Sequence, residues 1–84
     1  MVSEEQIRSR ILASIPNIYN VMVTDLSYGC GQSFDVVVVS DAFVGVKRLA
    51  RSRMVNDALK EELEHIHAFC CKCYTMDEWK KIVV

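Results

Sequence analysis

Six thiol and imidazole side chains in this sequence can act as nucleophiles or as sulfur and nitrogen metal ligands near neutral pH: Cys30, Cys70, Cys71, Cys73, His65 and His67. Three of the thiols are crowded into Cys70-Cys71-Lys72-Cys73, a CxxC spacing that elsewhere ligates zinc or carries redox chemistry. Here the spacing falls in an extended run. Side chains alternate on a strand, so Cys70 and Cys73 diverge, while Cys71 and Cys73 share a face about 6.5–7 Å apart. Zinc thiolates with Zn–S near 2.3 Å need sulfurs about 3.8 Å apart. No second Cys pair completes four ligands, and a redox CxxC ordinarily begins a helix whose dipole stabilises the thiolate. Packing of a Cys-rich strand is the simpler expectation; a redox centre is the alternative and requires an acidic thiol.

Cys30 stands alone between Gly29 and Gly31, in a turn where its thiol is expected to be exposed. His65 and His67 lie just beyond a long helical pattern. Either they favour the negative end of that helix and rest on the surface, or one imidazole converges with the Cys30 thiolate. The second arrangement is a two-residue half-site for a metal or iron–sulfur cluster completed by another molecule. Spacing is compatible with both. No nucleophile elbow and no phosphate loop occurs, so a nonenzymatic binding module with no small-molecule substrate is expected.

The elements that must position these residues follow from pattern. Ser3-Glu4-Glu5-Gln6 has the form of a capping box, and Ile7, Ile11, Leu12 and Ile15 form an apolar stripe that Pro16 terminates. Tyr19, Val21 and Val23 alternate with Asn20, Met22 and Thr24, and Ser33 to Ser40 is rich in β-branched residues; these predict an antiparallel hairpin around Tyr28 to Gln32. A helix is expected from about Lys47 to Glu64, burying Leu49, Val55, Ala58, Leu59 and Leu63. A last strand, Ala68 to Tyr74, and a second capping box at Thr75-Met76-Asp77-Glu78 complete the order αββαβα. A strand, crossover helix and strand in one sheet place the last strand parallel to the second, giving a three-stranded mixed sheet.

Composition bounds the rest. Eighty-four residues allow one small domain, 1–84, whose thin core leaves little room for a deep catalytic site. Ten Lys+Arg against eleven Asp+Glu give a net charge of −1, which does not suggest tight phosphate binding. No apolar run approaches the roughly twenty residues of a membrane span. An acidic start without an apolar h-region shows no secretory or transit signal, so a cytoplasmic or nuclear location is expected. Lys47, Arg48, Arg51 and Arg53 put four cations in seven residues at the start of the long helix, against its dipole. That pattern is either a solvated face or a partner-facing patch. A KH-type RNA loop would need GxxG, but Gly45-Val46-Lys47-Arg48 has only the first glycine.

Phe43-Val44-Gly45, Arg51-Ser52-Arg53-Met54-Val55-Asn56, Leu59-Lys60-Glu61-Glu62-Leu63, His65-Ile66-His67-Ala68-Phe69 and Thr75-Met76-Asp77-Glu78-Trp79 together resemble the signature of BolA-like proteins. The resemblance covers nearly the whole chain and is densest from Phe43 to Trp79. It implies an α/β (α+β) class II KH-like fold, αββαβ with an added C-terminal helix. It also implies a monothiol glutaredoxin partner, with which a [2Fe–2S] cluster is shared in cytosolic iron–sulfur trafficking and iron regulation. In the family the imidazole ligand matches His67. The second ligand comes from the hairpin loop and is Cys in the cytosolic branch, which falls on Cys30. Lys47, Arg48, Arg51, Arg53 and His65 are the expected partner-facing residues. The alternative function is a nucleic-acid-binding regulator using the same fold and the Arg-rich helix.

Overall fold

The first helix, α1 (Glu4–Ser14), starts directly after the extended cap residue Ser3: the Ser3 hydroxyl accepts from the Gln6 amide at 3.1 Å, and Glu4 and Glu5 occupy the positive first turn. The computed structural model describes residues 2–27 and 31–83. Only half of the expected capping box forms, because the Gln6 side chain leaves the helix end and donates to Glu62 Oε2 at 3.0 Å. Ile15 is extended, as a residue before proline must be, and ends the helix. Ile7, Ile11 and Ile15 are buried, whereas Leu12 is 53% exposed. At about 100° per residue, fourfold spacing keeps the three isoleucines on one stripe and turns Leu12 well away from it.

After α1 come β1 (Ile18–Asp25) and β2 (Ser33–Ser40), antiparallel partners. The pairing register shifts between Ile18 and Asn20. That irregularity overturns the inward placement expected for Tyr19: Ile18 packs against the core instead, and Tyr19 is exposed with its hydroxyl donating to Asp41 at 2.8 Å. β2 is the central strand, and Phe34, Val36 and Val38 are fully buried on the helix-covered face. Val39, on the other face by alternation, is buried too. Continuous β-branched sequence is what a strand covered on both faces requires.

The crossover begins with a 3-10 turn at Asp41–Phe43 and then builds α2 (Arg48–Ala58) and α3 (Lys60–Leu63). The single helix expected over this stretch is therefore two, broken at Leu59, whose backbone leaves the helical region while its side chain stays fully buried. Arg51, Val55 and Leu59 form the inner stripe. Leu49, expected inside, is 67% exposed, because it sits about 120° around the helix from Val55. β3 (Ala68–Tyr74) runs parallel to β2 in the order β1-β2-β3, as expected, and α4 (Met76–Val83) packs against β2 and β3 with Trp79 against Tyr74 at 5.7 Å.

Two charged contacts fasten the helices. Arg10 of α1 donates to Glu61 and Glu62 at the start of α3, joining elements far apart in sequence. Arg51 is 8% exposed and its guanidinium lies 5.8 Å from the Phe43 ring centroid. It donates to the Val46 carbonyl at 2.7 Å, the Cys73 carbonyl at 3.2 Å and Glu78 Oε1 at 2.7 Å. Glu78 Oε1 also accepts from the Thr75 amide at 2.8 Å while Thr75 Oγ1 accepts from the Glu78 amide at 3.2 Å, a complete capping box.

The Thr75 amide, then Arg51, holds the Glu78 carboxyl below its ordinary value of 4.5. A lowered carboxylate stabilises the fold above its unfolded pKa, and the contribution disappears as pH falls through the folded value. Glu78→Gln should cost about 0.5–1 kcal/mol at pH 7, a figure reduced for the solvent around this half-exposed side chain. Thermal unfolding checks it: the gap between wild type and variant should be open at pH 7 and nearly closed at about pH 3.

Candidate functional site

Entry into β3 is fixed by one carbonyl. Gln32, the residue before β2, accepts from the His67 amide at 2.7 Å and from the Ala68 amide at 3.2 Å. Its side chain accepts from the Val2 amide at 2.9 Å and donates to the Val2 carbonyl at 2.7 Å. One residue thus ties the chain start, the hairpin and the start of β3 together. On the other side of Gln32, Gly31 has φ +102° and lies directly under His67. A Cβ added there would be 3.0 Å from His67 Cβ and 3.4 Å from Cγ, a contact so tight that the histidine would have to shift by a few tenths of an ångström. Glycine is favoured by the backbone angle, and the close approach of His67 adds to the cost of any side chain there.

The geometry therefore brings His67 onto the residue covalently bonded to Cys30. Cys30, with the expectation that its thiol is exposed, lies outside the described residues. His67 is itself exposed, so its imidazole is available to something arriving from solvent. Among the described residues no three His, Cys, Asp or Glu side chains gather as a metal site. What this junction offers from those residues is one imidazole, a partial ligand set that needs donors from elsewhere. His65 is exposed in the turn after α3, its amide donating to the Glu62 carbonyl at 3.0 Å.

The expected basic patch is only partly a surface. Lys47, Arg48 and Arg53 are exposed, but Arg51 is the buried cation described above and is not available to a partner. The fourfold spacing Arg51, Val55, Leu59 contains the clue: an arginine in the register of a buried stripe is more informative than its membership of a charge run. Gln32 and the contact role of Gly31 were not foreseeable. A glutamine beside a turn carries no pattern, and the glycine suggested only backbone freedom. Cys70 is exposed, while Cys71 and Cys73 are half-buried on the opposite face against the core, as alternation requires.

Fold and junction together define a class: a small αββαβα domain whose mixed sheet carries a solvent-facing histidine where the hairpin loop meets the third strand. The family model for BolA-like proteins matches residues 17–78, and the chain belongs to that family. It is 65% identical over 83 residues to BolA-like protein 2 of Saccharomyces cerevisiae, covering 99% of this chain and 69% of the relative. It is 36% identical over 87 residues to the DNA-binding transcriptional regulator BolA of Escherichia coli, covering 95% and 82%. The crystal structure of a bol-like protein from Babesia bovis superposes with a TM-score of 0.89 at 39% identity, covering 98% of this chain and 94% of that one.

Gly31→Ala should force the His67 side chain away while leaving the sheet in place. A non-glycine residue held at positive φ costs about 1–2 kcal/mol, so unfolding by urea should show a loss of that size. Amide shifts in NMR should move at Gln32, His67 and Ala68 and stay unchanged around Leu59; changes spread evenly through the chain would contradict the local contact.

Proposed function

We propose that this chain is a nonenzymatic iron–sulfur adaptor that pairs with a monothiol glutaredoxin and shares a [2Fe–2S] cluster with it, in cytosolic iron–sulfur trafficking and iron regulation. The observation that carries the reading is the exposed His67 seated on Gly31, next to Cys30 in the chain. The residues fit such a group. Imidazole and thiolate are iron ligands, and Gly31 leaves His67 a place that any Cβ would take. His67 and Cys30 would hold this chain's side of the cluster, with a Cys and a glutathione thiolate on the partner's side. When bound, a [2Fe–2S] group supplies a one-electron centre whose potential rises as neutral imidazole replaces thiolate, as in Rieske-type sites.

This chain's own residues do the positioning. The Gln32 carbonyl fixes the backbone of His67, so the ring is presented without the entropy cost of ordering a free loop. Imidazole must be unprotonated to ligate iron, so the shared site is sensitive to pH in a way that an all-thiolate site is not. Lys47, Arg48, Arg53 and His65 are exposed and are the side chains that would meet the partner. The test is co-expression with a monothiol glutaredoxin and visible circular dichroism of the purified pair. His67→Ala should change the cluster spectrum and reduce bound iron, and an unchanged spectrum would overturn the assignment.

A second reading, a nucleic-acid-binding regulator, is favoured by the relative in Escherichia coli that carries a DNA-binding name. Its cations here are Lys47, Arg48 and Arg53 without Arg51. With about three phosphate contacts, log affinity should fall with log salt at a slope near −3, unaffected by His67→Ala. No mobility shift with DNA or RNA at low salt dismisses it.

A further inference from the structure

β3 lies at one edge of the sheet, and its ladder to β2 runs unbroken from Ala68 opposite Ser33 to Tyr74 opposite Val39. Two hydrogen bonds show which of its backbone groups face the open side. The Ala68 amide donates to the Gln32 carbonyl on the β2 side, and the Ser33 carbonyl is turned away from β3, accepting from the Leu26 amide at 2.8 Å. Peptide groups alternate along a strand, so those of Ala68, Cys70, Lys72 and Tyr74 point at β2 and those of Phe69, Cys71 and Cys73 point outward. Of the outward groups only the Cys73 carbonyl has a partner among the described residues, the Arg51 guanidinium at 3.2 Å. The three amides and the Phe69 and Cys71 carbonyls are left in a row. We propose that this row is a docking edge for an extended, acidic peptide segment of another protein, which adds to β3 as a fourth strand.

The chemistry of the row selects a peptide. Donors and acceptors alternate along it, and only another backbone offers the complementary alternation. A phosphate backbone has acceptors alone and would meet the Phe69 and Cys71 carbonyls unfavourably.

The charges select an acidic one. Lys72 is exposed on the outer face of the sheet, beside the open edge. On the α2 side, Arg48 and Ser52 line a cavity of about 210 Å³ together with Cys71 and Cys73. Neither Lys72 nor Arg48 forms an ion pair among the described residues. Side chains of an added strand alternate between the two faces, so two successive acids would turn one towards Arg48 and the other towards Lys72. The cavity is smaller than the roughly 300–1,000 Å³ of pockets that enclose a ligand, and it has room for a side chain of that strand rather than for a whole molecule.

A second copy of this chain is a poor occupant. The β3 sequence Ala-Phe-Cys-Cys-Lys-Cys-Tyr holds a lysine and no acid, so two β3 edges would bring like charges together. The other sheet edge, β1, carries the register shift between Ile18 and Asn20, which interrupts the ladder that a partner strand needs. Lys72 thus works as a selective guard, unfavourable to its own copy and favourable to an acidic strand.

Amide hydrogen exchange by NMR on the full reduced chain tests the edge first without ligand. The amides of Phe69, Cys71 and Cys73 should exchange about ten-fold or more faster than those of Cys70 and Lys72, which donate to β2. The probe is then a capped octapeptide of alternating valine and threonine with two adjacent glutamates at its centre. At saturation it should slow exchange about ten-fold at Phe69, Cys71 and Cys73 and leave Cys70 and Lys72 unchanged. The same peptide N-methylated at alternate residues, which keeps its charge but loses the donors of one edge, should not bind. A version with two lysines at the centre should bind several-fold more weakly, and Lys72→Glu should reverse that preference. No protection of the three amides at millimolar peptide, undiminished binding after N-methylation, or a single-stranded oligonucleotide protecting the same amides would each overturn the proposal. So would protection that rises with protein concentration alone, which would assign the edge to a second copy.

Discussion

The Gln32 carbonyl is the point on which the geometry of this molecule depends. It accepts from two successive amides, His67 and Ala68, at the place where the crossover ends and β3 begins. It fixes the point at which the chain enters the sheet, at the start of the β2–β3 pairing. Because a one-residue slip exchanges the faces of a strand, this bond and the β2–β3 pairing that follows it place His67 on Gly31, turn Cys71 and Cys73 to the core and leave Cys70 exposed. A local polar contact thus sets the positions of two separate groups of reactive side chains.

The far end of β3 is held by a different device. Arg51 reaches from α2 to the Cys73 carbonyl and to Glu78, and Glu78 in turn caps α4 through Thr75. A buried arginine with its donors used by two carbonyls and a carboxylate fixes orientation even where its net contribution to stability is modest. β3 is consequently anchored at both ends, by Gln32 at its start and by Arg51 beyond Cys73, while its outer edge stays unpaired. The small core imposes this arrangement: 84 residues bury too little apolar surface to position a strand by packing alone.

Much of this was legible in the sequence because it rests on periodicity and on capping chemistry. The order αββαβα, the parallel third strand and the Thr75–Glu78 box follow from patterns local to a few residues. What could not be read is what depends on contacts between distant elements. Gln6 abandons its capping role for Glu62, which is brought near only by folding. The Ile18–Asn20 irregularity turns Tyr19 outward, and alternation cannot predict where a bulge falls. Arg51 looked like one of four surface cations because composition counts charges without regard to the helical stripe they occupy. At the candidate site His67 was legible, through family resemblance and position, whereas its seat on Gly31 was not, since glycine records no contact in the sequence.

The central claim is that His67 supplies nitrogen to a cluster held jointly with a glutaredoxin, and electron spin-echo spectroscopy of the reduced complex tests it most directly. With histidine labelled by 15N in this chain only, the account predicts a strongly coupled 15N signal that is retained in His65→Ala and lost in His67→Ala. A coupling that survives in His67→Ala, or that disappears in His65→Ala instead, would contradict it.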